Sequence, residues 1–357
     1  MDIFDMEITE ERLYTLDTML ESVDTQQDVI RAIHRYEMLT IHTESMSDEV
    51  LMEAANNVFD RIIAAIKKVF KTVITFVQNM IKNMKTKLKK IQTMIRKKTA
   101  KTVYEYKPDF TIYDYSGMPG ISIGFMPRCL EPYEAVTSKR TIQLYGIQAK
   151  SNGFNPTFEG YKAYFRSMGT AVHTKCYFAL GSQEEAKRAT INDIIDILDI
   201  EGNIDTHLYN GEEISDISAF ISDLPGIFRG KEIDVAKAIN AGIDIDWDYK
   251  KGIENVEKAE KALNEKHHTI VDNMQRLKNI ANEIGGNDSG DMRAQDAYDF
   301  AMRLANTVTN NVNTSLRIAM SILNIFSQML DEQVKQNVRL LDEMNATDYS
   351  STLKDLK

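Results

Sequence analysis

The stretch that decides the fold is residues 51–101, which read LMEAANNVFDRIIAAIKKVFKTVITFVQNMIKNMKTKLKKIQTMIRKKTAK. From Phe59 to Ile95 apolar residues recur at steps of three or four, and neither proline nor glycine interrupts the run. This spacing places the apolar side chains on one face of an α-helix. The sequence therefore predicts one long, basic, amphipathic helix. Lysines occupy mostly the other positions of that helix: Lys67, Lys68, Lys71, Lys82, Lys85, Lys89 and Lys90.

Charge changes sign twice along the chain, although the formal net charge is −10. Residues 1–60 contain fifteen acidic and three basic residues, whereas residues 61–101 contain thirteen basic residues and no acidic one. The rest of the chain is acidic again. We therefore interpret residues 1–50 as an acidic helical leader whose charge can neutralise the basic helix that follows it.

Three roles for the basic helix are open from the sequence. Its apolar face can pack in a bundle with other helices of the same chain. Alternatively, the helix can lie on an anionic membrane, or its lysines can contact the phosphates of DNA without reading the bases. The phenylalanines lie on the apolar face and not among the lysines, which disfavours a surface on which bases stack.

Length and composition are typical of a folded protein that is rich in helix. The 357 residues are 43% apolar and 27% charged, with 17 glycines and 6 prolines, which are few for this length. The two cysteines form no CxxC pair, so we expect no disulfide framework. The acidic N-terminus does not resemble a secretory signal, and no apolar run is long enough to predict a transmembrane helix.

The middle of the chain, residues 102–248, differs in composition from the basic helix. Its prolines, tyrosines and β-branched residues predict a small α+β domain. The predicted strands are residues 103–106, 110–113, 121–125, 141–145 and 176–180, and the predicted helices are residues 183–198, 213–224 and 233–241.

Helical spacing returns in residues 249–344 and is broken at residues 285–290, which read GGNDSG. A short turn between two long helices predicts an antiparallel hairpin. The second helix outlasts the first, so we expect the basic helix to pack beside the hairpin, with self-association as the alternative. Residues 345–357 are predicted to form a loose polar tail. The expected fold is mainly α, a long helical bundle with a small α+β middle domain and an antiparallel C-terminal hairpin.

No constellation of residues predicts a catalytic, cofactor or metal site. His173 and Cys176 lie close in sequence but lack a third group to orient a catalytic pair. Gly230-Lys231 lacks the spacing of a P-loop, and Asp244–Asp248 lacks the glycine and glutamate of a calcium loop. The rings of His267-His268 are expected to point about 100° apart on a helix, so they should not share one metal. We predict no enzyme, no cofactor and no small-molecule ligand.

Four stretches in the first hundred residues resemble the N-terminal regions of internal or head-associated virion structural proteins of large tailed bacteriophages. The resemblance implies a non-enzymatic protein that is made in the host cytoplasm and resides in the virion. It also implies that the leader is removed after a Ser-x-Glu motif, which Ser47, Asp48 and Glu49 match. The stretches are Met1–Asp5, Leu20–Asp24, Ile33–Met38 and Asn57–Ile63.

The expected function is therefore structural. The protein would act through helical packing and its charged helix, with other virion proteins or further copies of itself as partners. Non-specific contact with DNA or with an anionic membrane would be a secondary property. The alternative function is that of a membrane-active protein whose helix 51–101 binds or inserts into anionic bilayers.

Overall fold

The computed structural model describes residues 27–38, 48–96, 112–114, 125–198, 231–233, 245–285 and 293–354. These residues are almost entirely helical, which confirms the prediction of a mainly α fold. No helix within these ranges has an apolar stretch long enough to cross a membrane.

The described residues form three long helices and several short ones. Residues 27–38 are helical and are named α1 here. The long helices are α2 (Asp48–Arg96), α9 (Ile245–Gly285) and α10 (Ala294–Lys354). The short helices are α3 (Phe125–Cys129), α4 (Glu131–Thr137), α5 (Lys139–Ser151), α6 (Phe158–Ser167), α7 (Ala171–Ala179) and α8 (Gln183–Leu198).

Two three-residue strands are the only β-structure among the described residues. Strand β1 (Ile112–Asp114) pairs antiparallel with β2 (Lys231–Ile233), and Tyr113 lies opposite Glu232. Because residues 125–198 are helical, the predicted α+β domain is not seen.

The described residues divide into two compact units, each assembled from segments that are distant in sequence. The first unit contains residues 27–38, 48–75, 129–190, 263–285 and 293–317. The second contains residues 76–96, 112–114, 125–128, 191–198, 231–233, 245–262 and 318–354. Each of the long helices α2, α9 and α10 therefore contributes to both units.

Helix α2 confirms the long helix predicted from apolar spacing, and it begins at Asp48 rather than residue 51. Its apolar face is covered by the rest of the protein. The buried side chains on this face include Phe59, Ile62, Ile66, Phe70, Val73, Phe76, Val77, Met80, Ile81 and Met84. The side chains beyond Lys89 lie outside what the structure describes. Burial of so many large apolar groups is the main force that holds α2 in place.

Helices α2 and α9 run antiparallel within each unit. In the first unit, the amide of Asn282 donates to Oδ1 of Asn56 over 2.9 Å, and Nζ of Lys278 donates to Oδ1 of Asp60 over 2.6 Å. In each unit, partners that lie further along α2 lie earlier along α9. In the second unit the two contacts are Gln78 Nε2 to Glu260 Oε1 at 2.7 Å and Lys85 Nζ to Glu257 Oε1 at 2.5 Å.

The short helices of the first unit begin at residues that cap them. The hydroxyl oxygens of Ser138, Thr157 and Thr170 accept hydrogen bonds from backbone N–H groups at the starts of α5, α6 and α7. Helix α8 begins with a reciprocal capping box, because the N–H of Ser182 donates to the Glu185 carboxylate and the N–H of Glu185 donates to Oγ of Ser182. Such caps satisfy amides that have no partner inside the helix.

Helix α5 ends in a glycine turn. Gly153 has a φ of 71°, in the left-handed region that glycine adopts without steric cost. Its N–H donates to the carbonyl of Lys150, and the N–H of Phe154 donates to the carbonyl of Ala149. This pair of bonds is a Schellman motif, which stops the helix and turns the chain toward α6.

Several predicted elements of the middle segment need correction. Residues 141–145 lie within α5 and residues 176–180 lie mostly within α7, so both predicted strands are wrong. Local strand propensity there is outweighed by the Ser138 and Thr170 caps and by burial of one helical face. The predicted helix 183–198 is confirmed as α8, and Ile112 and Tyr113 of the predicted strand 110–113 lie in β1. Phe125, predicted to end a strand, begins α3, and Ile233, predicted to begin a helix, ends β2. The predicted strand 103–106 and helix 213–224 lie outside the described ranges.

The two C-terminal helices confirm the predicted long helices, and the last residue of α9 packs closely against α10. A Cβ atom on Gly285 would lie 2.7 Å from Oη of Tyr298, so only glycine fits at the end of α9. The predicted loose tail is wrong over residues 345–354, because α10 continues to Lys354. No proline or glycine follows Gly290, so nothing in the sequence stops the helix.

Candidate interaction surface on the basic helix

The lysines predicted to form a basic face lie away from the buried apolar face of α2. Lys67, Lys71, Lys82, Lys85 and Lys89 are exposed. Lys68 is half-buried, and the side chain of Lys90 lies outside the described residues. The structure therefore places a charged, solvent-facing surface along most of the helix.

In the second unit, two polar side chains of α2 bind carboxylates of α9. Lys85 forms an ion pair with Glu257 in which both side chains remain about half exposed. Two turns earlier on α2, Gln78 donates a hydrogen bond to Glu260. Because both carboxylates come from the neighbouring helix, they offset part of the positive charge that the sequence of α2 alone suggests.

The lysines in the first unit have different neighbours. Lys67 lies close enough to His267 of α9 to affect its charge. Burial lowers the pKa of the His267 imidazole, and the adjacent His268 and Lys67 lower this pKa further. Nε2 of His267 is buried without a hydrogen-bond partner, while the imidazole ring lies against Phe70. The neutral imidazole is therefore favoured, and it supplies no negative charge to balance that of Lys67.

Buried polar side chains hold the short helices against α10 in the first unit. The hydroxyl of Ser315 shares hydrogen bonds with those of Tyr133 at 2.9 Å and Thr190 at 2.8 Å. The amide of Asn311 donates to the carbonyls of Ala179 at 2.7 Å and Gly181 at 3.2 Å. Sequence reasoning missed these residues, although the polar run at residues 309–315 inside an apolar helix was a visible signal.

A second polar contact joins α4 to α9. The amide of Asn273 donates to Oγ1 of Thr137 over 3.2 Å and to the carbonyl of Glu134 over 3.3 Å. Two turns earlier on α9, Lys266 forms an ion pair with the Glu134 carboxylate of α4. Both contacts depend on the direction and register of the helices, so they help to select one packing arrangement.

Helix α1 is anchored in the first unit by Tyr36, whose ring is buried. Burial raises the pKa of the Tyr36 hydroxyl, and the neighbouring carboxylate of Asp299 raises it further. The pKa of Asp299 is itself raised, mainly because that carboxyl is half-buried. These shifts favour a neutral phenol at the contact between α1 and α10.

His173 and Cys176 both lie on α7, and each has a structural environment. Sγ of Cys176 lies 3.9 Å from the carbonyl of Pro132, and burial raises the pKa of its thiol to about 11. A nucleophilic cysteine needs a lowered pKa, so the environment of Cys176 is that of a core residue. The imidazole of His173 packs near Phe165, with ring centroids 6.0 Å apart.

The expectation that the rings of His267 and His268 diverge is wrong. Their centroids lie 5.3 Å apart and their planes are tilted by only 29°. No group of three or more histidines, cysteines or carboxylates able to hold a metal occurs within the described residues. Two imidazoles without a further ligand do not form a zinc site.

The remaining motifs fall at the edges of described elements. Asp48 and Glu49 are the first residues of α2, whereas Ser47 lies outside the described ranges. Lys231 lies in β2 opposite Asp114, and the chain from Ile245 through Asp248 begins α9 and so forms no calcium loop.

The geometry as a whole offers a charged helical surface on a tightly packed bundle. Its apolar face is inward, its lysines are outward, and the polar contacts between helices fix their register. No protein-family model, curated protein or solved structure matches the chain.

Proposed function

We propose that this chain is a non-enzymatic structural protein, an internal component of the virion of a large tailed bacteriophage. Its long helices form the rigid part of the protein, and the basic face of α2 binds the partner. The main support is the burial of the apolar face of α2 from Phe59 to Met84 inside the protein. A helix held in this way can present its charged side without leaving the bundle. The resemblance of the first hundred residues to internal virion proteins supports the location.

The polar contacts between helices support a structural role, because they fix the helices in one register. Lys278–Asp60, Asn273–Thr137 and Ser315–Tyr133 each need one register of the helices that they join. Fixed register keeps the surface lysines at constant positions. A structural component needs such a constant surface, because its partners in an assembly recognise a shape and a charge pattern.

The alternative, a membrane-active helix, requires the same apolar face to leave its partners. Residues such as Ile62, Ile66 and Phe70 would have to exchange a close-packed core for lipid. Flotation of the full-length protein with vesicles that contain phosphatidylserine tests this alternative. Strong flotation at neutral pH would favour the membrane-active function over the structural one.

Mass spectrometry of particles purified from the producing host tests the proposed function directly. We expect peptides from this chain at a constant ratio to the major capsid protein across a density gradient. Absence from the purified particles would contradict the proposal. The same spectra test leader removal, because cleavage after Glu49 would give a peptide that begins at Val50.

A further inference from the structure

Two matched pairs of lysines on α2 have different surroundings. The upstream pair is Lys67 and Lys71, and the downstream pair is Lys85 and Lys89. Each pair has the same spacing of four residues, about one helical turn. All four side chains are exposed, so neither their spacing nor their exposure distinguishes the two pairs.

In the downstream pair, Lys85 lies beside acidic residues of α9. Lys85 binds the carboxylate of Glu257, and Glu260 lies on the same side of α9 one turn further along. Lys89 has interactions of its own. The field that a polyanion would meet at this end of the helix is therefore reduced by fixed negative charge.

The upstream pair has no such compensation. Within the described part of the chain, no carboxylate lies within ion-pair distance of Lys67 or Lys71. The nearby acidic residue of α2, Asp60, is bound by Lys278 of α9. The side chain of Arg61 is exposed on the same helix and adds further positive charge.

The surroundings of the upstream pair suit a polyanion better than a lipid surface. Between residues 51 and 89 of α2, no large apolar side chain is exposed. Stable attachment of a helix to a membrane needs an apolar face that enters the lipid, in addition to basic charge. Phosphate neutralisation by lysine needs no apolar contact.

We propose that the surface formed by Arg61, Lys67 and Lys71 binds the phosphate backbone of double-stranded nucleic acid without reading its sequence. This inference rests on the proposed function, since it names the partner of the basic face. Lysine acts as a point charge toward phosphate, and it carries no base preference. Binding is electrostatic, so it weakens steeply as salt increases.

The test measures binding of the full-length protein to fluorescent duplex DNA at several salt concentrations, starting at about 50 mM. The variant Lys67→Gln/Lys71→Gln removes the upstream pair, and Lys85→Gln/Lys89→Gln is the matched control with the same loss of charge and the same spacing. We expect the upstream variant to bind about tenfold or more weakly and its salt slope to fall by about 2. The downstream variant should bind within about threefold of the parent protein, because Lys85 is already paired with the Glu257 carboxylate.

Three results would overturn the inference: no binding of the parent protein to the duplex, an equal loss in both variants, or retained binding in the upstream variant. Vesicles that contain phosphatidylserine form a parallel arm, and binding to vesicles but not to the duplex would also contradict it. Particle mass spectrometry is independent of these assays. A virion protein that does not bind DNA would leave the structural role intact and remove only the nucleic-acid partner.

Discussion

The imidazole of His267 lies against the ring of Phe70, with the ring centroids 4.8 Å apart and the planes tilted by 31°. Phe70 is fully buried at the centre of the apolar face of α2, so a titratable group of α9 is packed directly on the helix that carries the basic surface. Burial lowers the pKa of this imidazole, and the neighbouring His268 and Lys67 lower this pKa further. A proton on His267 would therefore meet no compensating negative charge from either of them.

The first prediction is that acid weakens the packing of α2 against α9. The pKa of His267 is lower in the folded protein than in the unfolded chain, where it is about 6.5. As pH falls through that unfolded value, the unfolded chain binds the proton first, so the free energy of unfolding decreases. Urea denaturation of the parent protein should show a lower midpoint at about pH 5.5 than at about pH 7.5.

The His267→Leu variant isolates this effect, because leucine cannot be protonated. Its denaturation midpoint should fall less between the two pH values than that of the parent protein. The matched control is His268→Gln at the neighbouring, exposed position, which should retain most of the parent pH dependence. Equal pH dependence in the parent and in His267→Leu would show that His267 is not responsible.

The second prediction concerns the buried hydroxyl of Ser315. Replacement by alanine removes one hydrogen bond of Tyr133 and one of Thr190, and Thr190 retains its bond to the carbonyl of Ala186. A hydrogen bond contributes about 0.5–1.5 kcal/mol net, so the loss of both should lower the free energy of unfolding by about 1–3 kcal/mol. The double variant Ser315→Ala/Tyr133→Phe should be less destabilised than the sum of the single variants, because both partners are then absent. Strict additivity would argue against the hydrogen bond.

The third prediction compares two glycines within helices. A Cβ on Gly146 of α5 would touch nothing, so Gly146→Ala should stabilise the protein by about 0.5–1 kcal/mol through helix propensity. A Cβ on Gly160 of α6 would lie 2.3 Å from Oη of Tyr145, a buried ring that cannot simply move aside. Gly160→Ala should therefore destabilise the protein, by about 1–3 kcal/mol. Thermal melting of both variants checks this, and a similar change in both would contradict the packing around Tyr145.

The fourth prediction concerns the capping box at the start of α8. Ser182→Ala removes the side-chain acceptor for the N–H of Glu185. The expected loss is about 1 kcal/mol, because an amide at the helix start loses its partner. The loss should be smaller for Ser182→Gly, by the known tolerance of glycine at this position. Urea denaturation measures both, and equal stability of Ser182→Ala and the parent protein would contradict the cap.

The sequence was most informative where a pattern is repeated many times. Apolar residues at helical spacing predicted α2 correctly, because more than ten of them agree on one face and no proline or glycine opposes them. The start of α2 was predicted within three residues. The long C-terminal helices were predicted for the same reason.

Prediction failed where local propensity and capping disagree. Thr141, Ile142 and Tyr145 favour strands individually, yet Ser138 caps a helix that includes all of them. The Ser182-to-Glu185 box was present in the sequence and did mark a helix start. Reading capping residues before propensity would have corrected the strand at residues 141–145.

The candidate surface was predicted only as a set of lysines. Which lysines are compensated depends on α9, since Glu257 and Glu260 reach the downstream part of α2 while His267 lies near Lys67. Such pairing is a property of helix register, and register across some two hundred residues of chain is not encoded in the spacing of either helix alone.

The most direct test of the account is zero-length cross-linking of the native protein with a carbodiimide, followed by mass spectrometry. We expect amide bonds between Lys278 and Asp60 and between Lys85 and Glu257, whose charged atoms lie 2.6 Å and 2.5 Å apart. The variant Lys278→Arg should lose the first bond and keep the second, and a mixture of isotope-labelled and unlabelled protein should show both bonds within single chains. Bonds that join α2 only to its own sequence neighbours, or only to another copy of the chain, would contradict a helix whose apolar face is buried against α9.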